Sequence, residues 1–285
     1  MQIHLYDSAA QVGQAAATLI AAQIIAKPDS VLGLATGSTP IPTYQELIRL
    51  CKGGVLDFSR VRSFNLDEYC NLPVDHEQSY HSFMRQQLFD HINIDPANTR
   101  VPDGNARDQA AECASYDTAI NQAGGIDIQV LGIGRNGHIG FNEPADTFVY
   151  GCHIVNLTQS TIQANRRFFE SEDDVPRQAI SLGIGSIMNA RRILLLATGA
   201  DKAEAIRNAD YPAARQALAD GADRCDQMRT KMNHLLRTAD FTELEAALRA
   251  ADGHLEMGAP EEAFGELRRA QVQVETLEWL SHRLV

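Results

Sequence analysis

Up to about Lys202, short apolar runs alternate with longer stretches of helical period, and the runs end at loops of small and polar residues. That alternation restricts the chain to an α/β architecture, a doubly wound, mostly parallel sheet of Rossmann-like βαβ units. Strands are expected at residues 1–6, Val31–Leu34, 61–64, 126–131, 154–156, 179–184 and 192–198. Between them, Asp7 or Ser8 caps a helix running to about Ile25, with Val12, Ala15, Ala16, Leu19 and Ile20 on one face. A second helix places Tyr44, Leu47, Ile48 and Cys51 in period and closes at Gly53-Gly54. Residues 79–89, with Tyr80, Phe83, Met84 and Leu88 facing inward, and residues 106–122 read as two more.

In such a sheet, ligands sit outside the carboxyl ends of the strands, so the loops there carry the functional reading. The densest is Gly132-Ile133-Gly134-Arg135-Asn136-Gly137-His138-Ile139-Gly140-Phe141-Asn142-Glu143-Pro144, after the strand at 126–131. Its glycines let backbone pass close to a small molecule, and His138 with Glu143 can form a proton-transfer pair if the loop folds one toward the other. A tight turn with a surface His and Glu is the plainer alternative. After Val31–Leu34 comes Ala35-Thr36-Gly37-Ser38-Thr39-Pro40 and then a helix, an arrangement that offers an anion unpaired N–H groups, a positive dipole end and hydroxyls. It lacks the spacing and the lysine of a Walker loop, and an ordinary capped turn looks similar. The strand at 61–64 runs into Asn65-Leu66-Asp67-Glu68-Tyr69. Adjacent acids on a strand point to opposite sides, so one of Asp67 and Glu68 can face a ligand while the other caps a helix or meets solvent. Arg166 and Arg167, followed by the acidic run 170–174 and Val175-Pro176, mark either a mobile flap or a solvated helix end. Lys202 stands at the start of the helix after the strand at 192–198, where it either meets solvent or completes an anion site.

Charge narrows the partners. A net charge of −12 and a pI near 5.2 argue against nucleic acid or an anionic membrane as the main partner. The five cysteines are scattered, with no CxxC pair, which fits reduced thiols in a cytoplasm better than a disulfide framework or a zinc site. No signal peptide is apparent, and no apolar run is expected to span a membrane.

Together these segments resemble the glucosamine-6-phosphate deaminase family, within the wider group that includes the 6-phosphogluconolactonases. The likeness rests on Leu34 to Pro40, Ser63 to Tyr69, Leu131 to Pro144, Asn165 to Phe169 and Gly199 to Lys202, in family order over residues 1–207. The Gly-His-Ile-Gly-Phe-Asn-Glu-Pro segment favours the deaminases. The resemblance implies conversion of D-glucosamine 6-phosphate and water to D-fructose 6-phosphate and ammonia, a hydrolytic, isomerising deamination in amino-sugar catabolism, with no metal and no organic cofactor. It implies that Asp67 moves a proton between C2 and C1, and that His138 opens the sugar ring, oriented by Glu143 and Asn136. Thr36, Gly37, Ser38, Thr39, Arg167 and Lys202 would hold the 6-phosphate. Some family members carry Asp where Asn136 stands. Others are activated by N-acetylglucosamine 6-phosphate through basic residues in a stretch that here has His153 and Val155, so no such activation is expected.

The likeness stops at about residue 207. Residues 208–285 read instead as a helical extension: Thr242 with Glu245 forms a capping box, Phe241, Leu244, Leu248 and Ala251 share a face, and Pro260 opens the last helix, which carries Trp279. The extension can cover a sheet edge, mediate homo-oligomerisation or form a separate module. Two other functions remain beside the deaminase: a 6-phosphogluconolactonase, and a non-catalytic sugar-phosphate sensor with the helical tail as its output.

Overall fold

The computed structural model describes residues 4–145, 147–202 and 205–206. Elements follow in the order α1 (Ala9–Ala26), β1 (Val31–Leu34), α2 (Ile41–Lys52), β2 (Arg62–Asn65), β3 (Asp67–Tyr69), α3 (Tyr80–Gln87), β4 (Thr99–Arg100) and α4 (Gln109–Gln122). Next come β5 (Ile128–Leu131), β6 (His153–Asn156), α5 (Gln159–Asn165), β7 (Gln178–Ser181), α6 (Ile184–Met188) and β8 (Arg192–Leu195). Five strands make a parallel sheet in the order β4-β2-β1-β5-β8. The chain winds outward from β1 through β2 to β4 and returns to β5 on the other side, so the strand order reverses between β1 and β5. A crevice at that reversal is where this architecture receives ligands.

The central strands are apolar because both faces of the sheet are covered. Every residue of β1 and β5 is buried, and Ile20, Leu34, Leu47, Met84 and Ile128 join one continuous core. At the amino-terminal edge of the sheet, buried Asp127 accepts from Val31 N–H at 2.8 Å, Lys27 Nζ at 2.7 Å and Arg191 Nη1 at 2.5 Å. It thereby fastens β1, β5 and β8 at the end away from the candidate site. Asp127→Ala leaves those donors without their acceptor and is expected to cost about 3 kcal/mol, read as a fall in Tm.

A second sheet was not legible in the sequence. β3, β7 and β6 pair antiparallel in the order β3-β7-β6. Leu66 is the junction: its N–H donates to Leu34 O at 3.1 Å, and its carbonyl accepts from Leu182 N–H at 2.8 Å. The chain thus passes from β2 into β3 with Asp67 at the seam of the two sheets.

Several expected boundaries move. Residues 4–6 form no strand, and 1–3 lie outside the described residues. The helix expected from 106 begins at Gln109, because Asp108 caps it by accepting from Ala111 N–H. The strand expected over 179–184 ends at Ser181, since Gly183 turns the chain into α6. Helix α1 is apolar enough to cross a membrane by length and composition, with 18 residues and mean hydropathy 1.4. Its sequence reads as a capped helix with one inward face, not as a membrane span. Here it buries Gly13, Ala16, Ala17, Ile20, Ala21 and Ile24 in the core. The helical extension expected over 208–285 lies outside the described residues.

Candidate active site

Loops leave the carboxyl ends of β1, β5 and β8, and every candidate residue except Asp67 and Arg167 is on one of them; Asp67 opens β3, one residue past the end of β2. After β1, Gly37 turns at φ +89°, and α2 starts at Ile41 with no side-chain cap on its N-terminus. The first N–H groups of α2 therefore keep their donors available, as an anion site requires. Tyr44 braces the loop from inside α2: its hydroxyl donates to Ala35 O at 2.5 Å and accepts from Ala35 N–H at 3.2 Å. Thr36 and Thr39 are half-buried and Ser38 is exposed. Among the described residues, none of the three hydroxyls is engaged in a hydrogen bond.

Past the seam, the two acids of β3 separate as strand geometry demands. Glu68 turns toward α3, where its carboxylate accepts from Tyr69 N–H at 2.8 Å, Tyr80 N–H at 3.0 Å and His81 N–H at 2.9 Å. It is a helix-capping acid. Asp67 points the other way, opposite Ser181 in the β3–β7 ladder and beside Gly140. It is 6% exposed, and among the described residues its carboxylate accepts no hydrogen bond. Burial, with the neighbouring Glu68 charge, raises its pKa from 3.8 to about 8.

The glycine-rich loop after β5 closes on itself. Gly134 N–H donates to His138 O at 2.8 Å, and Ile139 and Asn142 exchange backbone hydrogen bonds at 3.2 and 3.0 Å. Gly140 turns between them at φ +60°, where an added Cβ would stand 3.1 Å from Ser181 Oγ and 3.3 Å from Asp67 Oδ2. A side chain there would crowd the acid, so glycine is required on conformational and steric grounds alike. Asn142 Nδ2 donates to Leu182 O at 2.8 Å, and Phe141 N–H donates to Ser181 Oγ at 3.2 Å. These bonds hold the loop against β7.

This folding brings His138 and Glu143 together through Asn136. His138 Nδ1 lies 2.7 Å from Asn136 Oδ1, and Asn136 Nδ2 donates in turn to Glu143 Oε2. An amide oxygen only accepts, so the network assigns the proton to Nδ1 and leaves the Nε2 lone pair available. The direct His138–Glu143 approach is 3.9 Å. Burial lowers the His138 pKa from 6.5, Glu143 opposes that shift, and Lys202 adds to it. The imidazole is therefore neutral at neutral pH, and Lys202 lies close enough to act on it. Lys202 closes a short turn, Ala200–Lys202, after β8, and residues 205–206 beyond it are helical.

Arg167 is exposed in the turn Arg166–Phe168 after α5, its guanidinium 4.6 Å from the Phe168 ring centre. Among the described residues it makes no hydrogen bond or ion pair to the loop after β1 or to Lys202. Sequence reasoning singled out neither Thr158 and Thr161, which contact Glu143, nor Ser181 beside Asp67. All three become site residues only through pairing between distant segments, and no motif signals them. Among the described residues no group of His, Cys, Asp and Glu is arranged to hold a metal.

A family model described as glucosamine-6-phosphate isomerases/6-phosphogluconolactonase matches residues 6–223. A glucosamine-6-phosphate deaminase from Halothermothrix orenii is 56% identical over 207 residues, 73% of this chain and 86% of that protein. Another, from Clostridioides difficile, is 56% identical over 196 residues, 69% of this chain and 79% of that one. Among solved structures, a monomeric glucosamine-6-phosphate deaminase superposes with a TM-score of 0.71 at 47% identity, covering 73% of this chain and 86% of its own. A 6-phosphogluconolactonase from Thermotoga maritima shares the fold at a TM-score of 0.53 and 20% identity, covering 69% of this chain and 84% of its own.

Proposed function

The chain belongs to the glucosamine-6-phosphate isomerase/6-phosphogluconolactonase family, and from that premise we propose that it is a glucosamine-6-phosphate deaminase. It converts D-glucosamine 6-phosphate and water to D-fructose 6-phosphate and ammonia. The observation that carries this reading is that one loop bears His138 and passes Asp67 at Gly140, so two acid–base groups of unlike character border the same loop. Asp67 is a buried carboxyl with its pKa raised to about 8. Neutral His138 is oriented by an amide and a carboxylate.

The chemistry needs both. His138 Nε2 exchanges the proton whose movement opens the pyranose, and its tautomer is set by Asn136 and Glu143. In the open chain, Asp67 removes the C2 proton, leaving an enolamine, and delivers a proton to C1. The resulting C2 imine is hydrolysed, which breaks the C–N bond and releases ammonia. A base whose pKa lies near the working pH combines proton affinity with an adequate ionised fraction. Lys202, the N–H groups and hydroxyls after β1, and Arg167 at the end of its exposed arm hold the 6-phosphate. No step calls for a metal or an organic cofactor.

Consumption of an amino-sugar phosphate places the enzyme in N-acetylglucosamine degradation as a hydrolase of C–N bonds, and its acidic composition and scattered thiols suit a cytoplasmic location. We read residues 1–207 as the catalytic unit; residues 208–285, which the sequence reads as a helical extension able to cover a sheet edge, mediate homo-oligomerisation or form a separate module, lie outside the described residues.

The test is ammonia release from D-glucosamine 6-phosphate by the purified full-length chain. Turnover at a kcat of order 1–10³ s⁻¹ is the expected result. Sugar-phosphate binding with no ammonia would overturn it in favour of a sensor, and acid release from 6-phosphogluconolactone in favour of a lactonase.

A further inference from the structure

Glu143 is held from its far side by two hydroxyls that lie outside the glycine-rich loop. Thr161 Oγ1 donates to Glu143 Oε1 at 2.7 Å, and Thr158 Oγ1 lies 3.3 Å from the same oxygen. The hydroxyls are 3.0 Å apart, and Thr158 also caps α5 by accepting from Thr161 N–H. Thr161 is buried, at 6% exposure. Glu143 Oε2 meanwhile accepts from Asn136.

Each carboxylate oxygen thus has its own donor. With Asn136 alone the carboxylate could rotate about its last bond and carry the amide with it. A donor on the second oxygen fixes the plane. Asn136 then presents Oδ1 to His138 Nδ1 in one orientation. Hydrogen bonds to a charged acceptor are strong enough to hold such an arrangement.

We propose that Thr161 is a positioning residue of the His138 relay, acting through Glu143 and Asn136 to set the tautomer and orientation of the imidazole. This rests on the reading of His138 as the proton-transfer group. The geometry also explains why the donor comes from α5. That helix leads directly to Arg167, so the segment bearing the proposed phosphate arm is anchored at its root to the relay.

Thr161→Val removes the donor with little change in volume, and Thr161→Ser keeps it. In ¹⁵N-histidine spectra of the full-length chain, wild-type His138 is expected as a single Nδ1–H tautomer. In the valine variant the two ring nitrogen shifts should converge toward a mixture, and the ring should titrate lower. Burial and Lys202 both depress its pKa, and the opposing group, Glu143, would be loosened. Serine should restore both signals. In the ammonia assay kcat should fall about tenfold with KM nearly unchanged. Adding Thr161→Val to Glu143→Gln should cause no further loss, because a residue acting through another is not additive with it.

Unchanged ¹⁵N shifts, or losses that multiply in the double variant, would overturn the proposal. So would a fall in kcat that follows Tm and is not restored by serine. If the valine variant does not fold, Thr161→Ala is read in the same spectra. The spectra need no turnover, so absence of ammonia in the wild type counts against the deaminase while the positioning role is still decided.

Discussion

Asp67→Asn is expected to cut turnover by about 10³-fold, to leave sugar-phosphate binding intact, and to make the fold more stable at neutral pH. The first two effects follow from the proposed role, because an amide cannot take the C2 proton and Asp67 is not among the groups proposed to meet the phosphate. The third follows from burial. The carboxyl holds its proton up to about pH 8 in the folded chain, whereas an unfolded Asp releases it near pH ~4. Between those values the folded state binds more protons than the unfolded one, so this group's contribution to stability falls as pH rises. Asparagine carries no charge to desolvate and escapes the loss. The Tm advantage of the variant over wild type should therefore widen from roughly pH 5 to pH 8. A constant difference would mean that Asp67 is not the buried acid described. Activity runs in the opposite direction. The base must be ionised to act, so kcat/KM of the wild type should rise with pH through about 8. Turnover surviving in the variant would remove Asp67 from the mechanism.

The parallel sheet and the candidate loops were legible in the sequence because each depends on local pattern. Val31–Leu34 and Ile128–Leu131 are short apolar runs, which buried parallel strands need, and both stop where loop chemistry begins. The Asn136, His138 and Glu143 set was legible because one loop carries all three. β3 was not, since three residues pairing antiparallel with a strand more than a hundred positions away leave no periodic trace. The same holds for Thr161. Its hydroxyl reads as ordinary helix composition until packing puts it on Glu143. Residues 67 and 68 show the limit from the other side: strand geometry required the two acids to diverge, but only the start of α3 beside Glu68 decided which became a cap.

His138→Gln should lower kcat/KM by about 10²-fold or more and, more tellingly, change the slope of its pH profile. The glutamine amide can still hydrogen-bond to Asn136, so the loop keeps its shape, but it cannot exchange a proton with the sugar. In the wild type two groups must be deprotonated, Asp67 and the imidazole. Below the His138 pKa, itself pushed under 6.5 by burial and Lys202, log kcat/KM should fall with a slope near two. The variant should fall with a slope near one over the same range, keeping only the limb that belongs to Asp67. Equal slopes would show that His138 does not titrate in the reaction. Lys202 adds a further consequence. A phosphate bound against it would neutralise the charge that depresses His138, so the imidazole pKa should be higher in the substrate complex than in the free enzyme. The lower limb of kcat should then lie at higher pH than that of kcat/KM, and Lys202→Gln should bring the two together. If they coincide already in the wild type, the phosphate does not sit on Lys202.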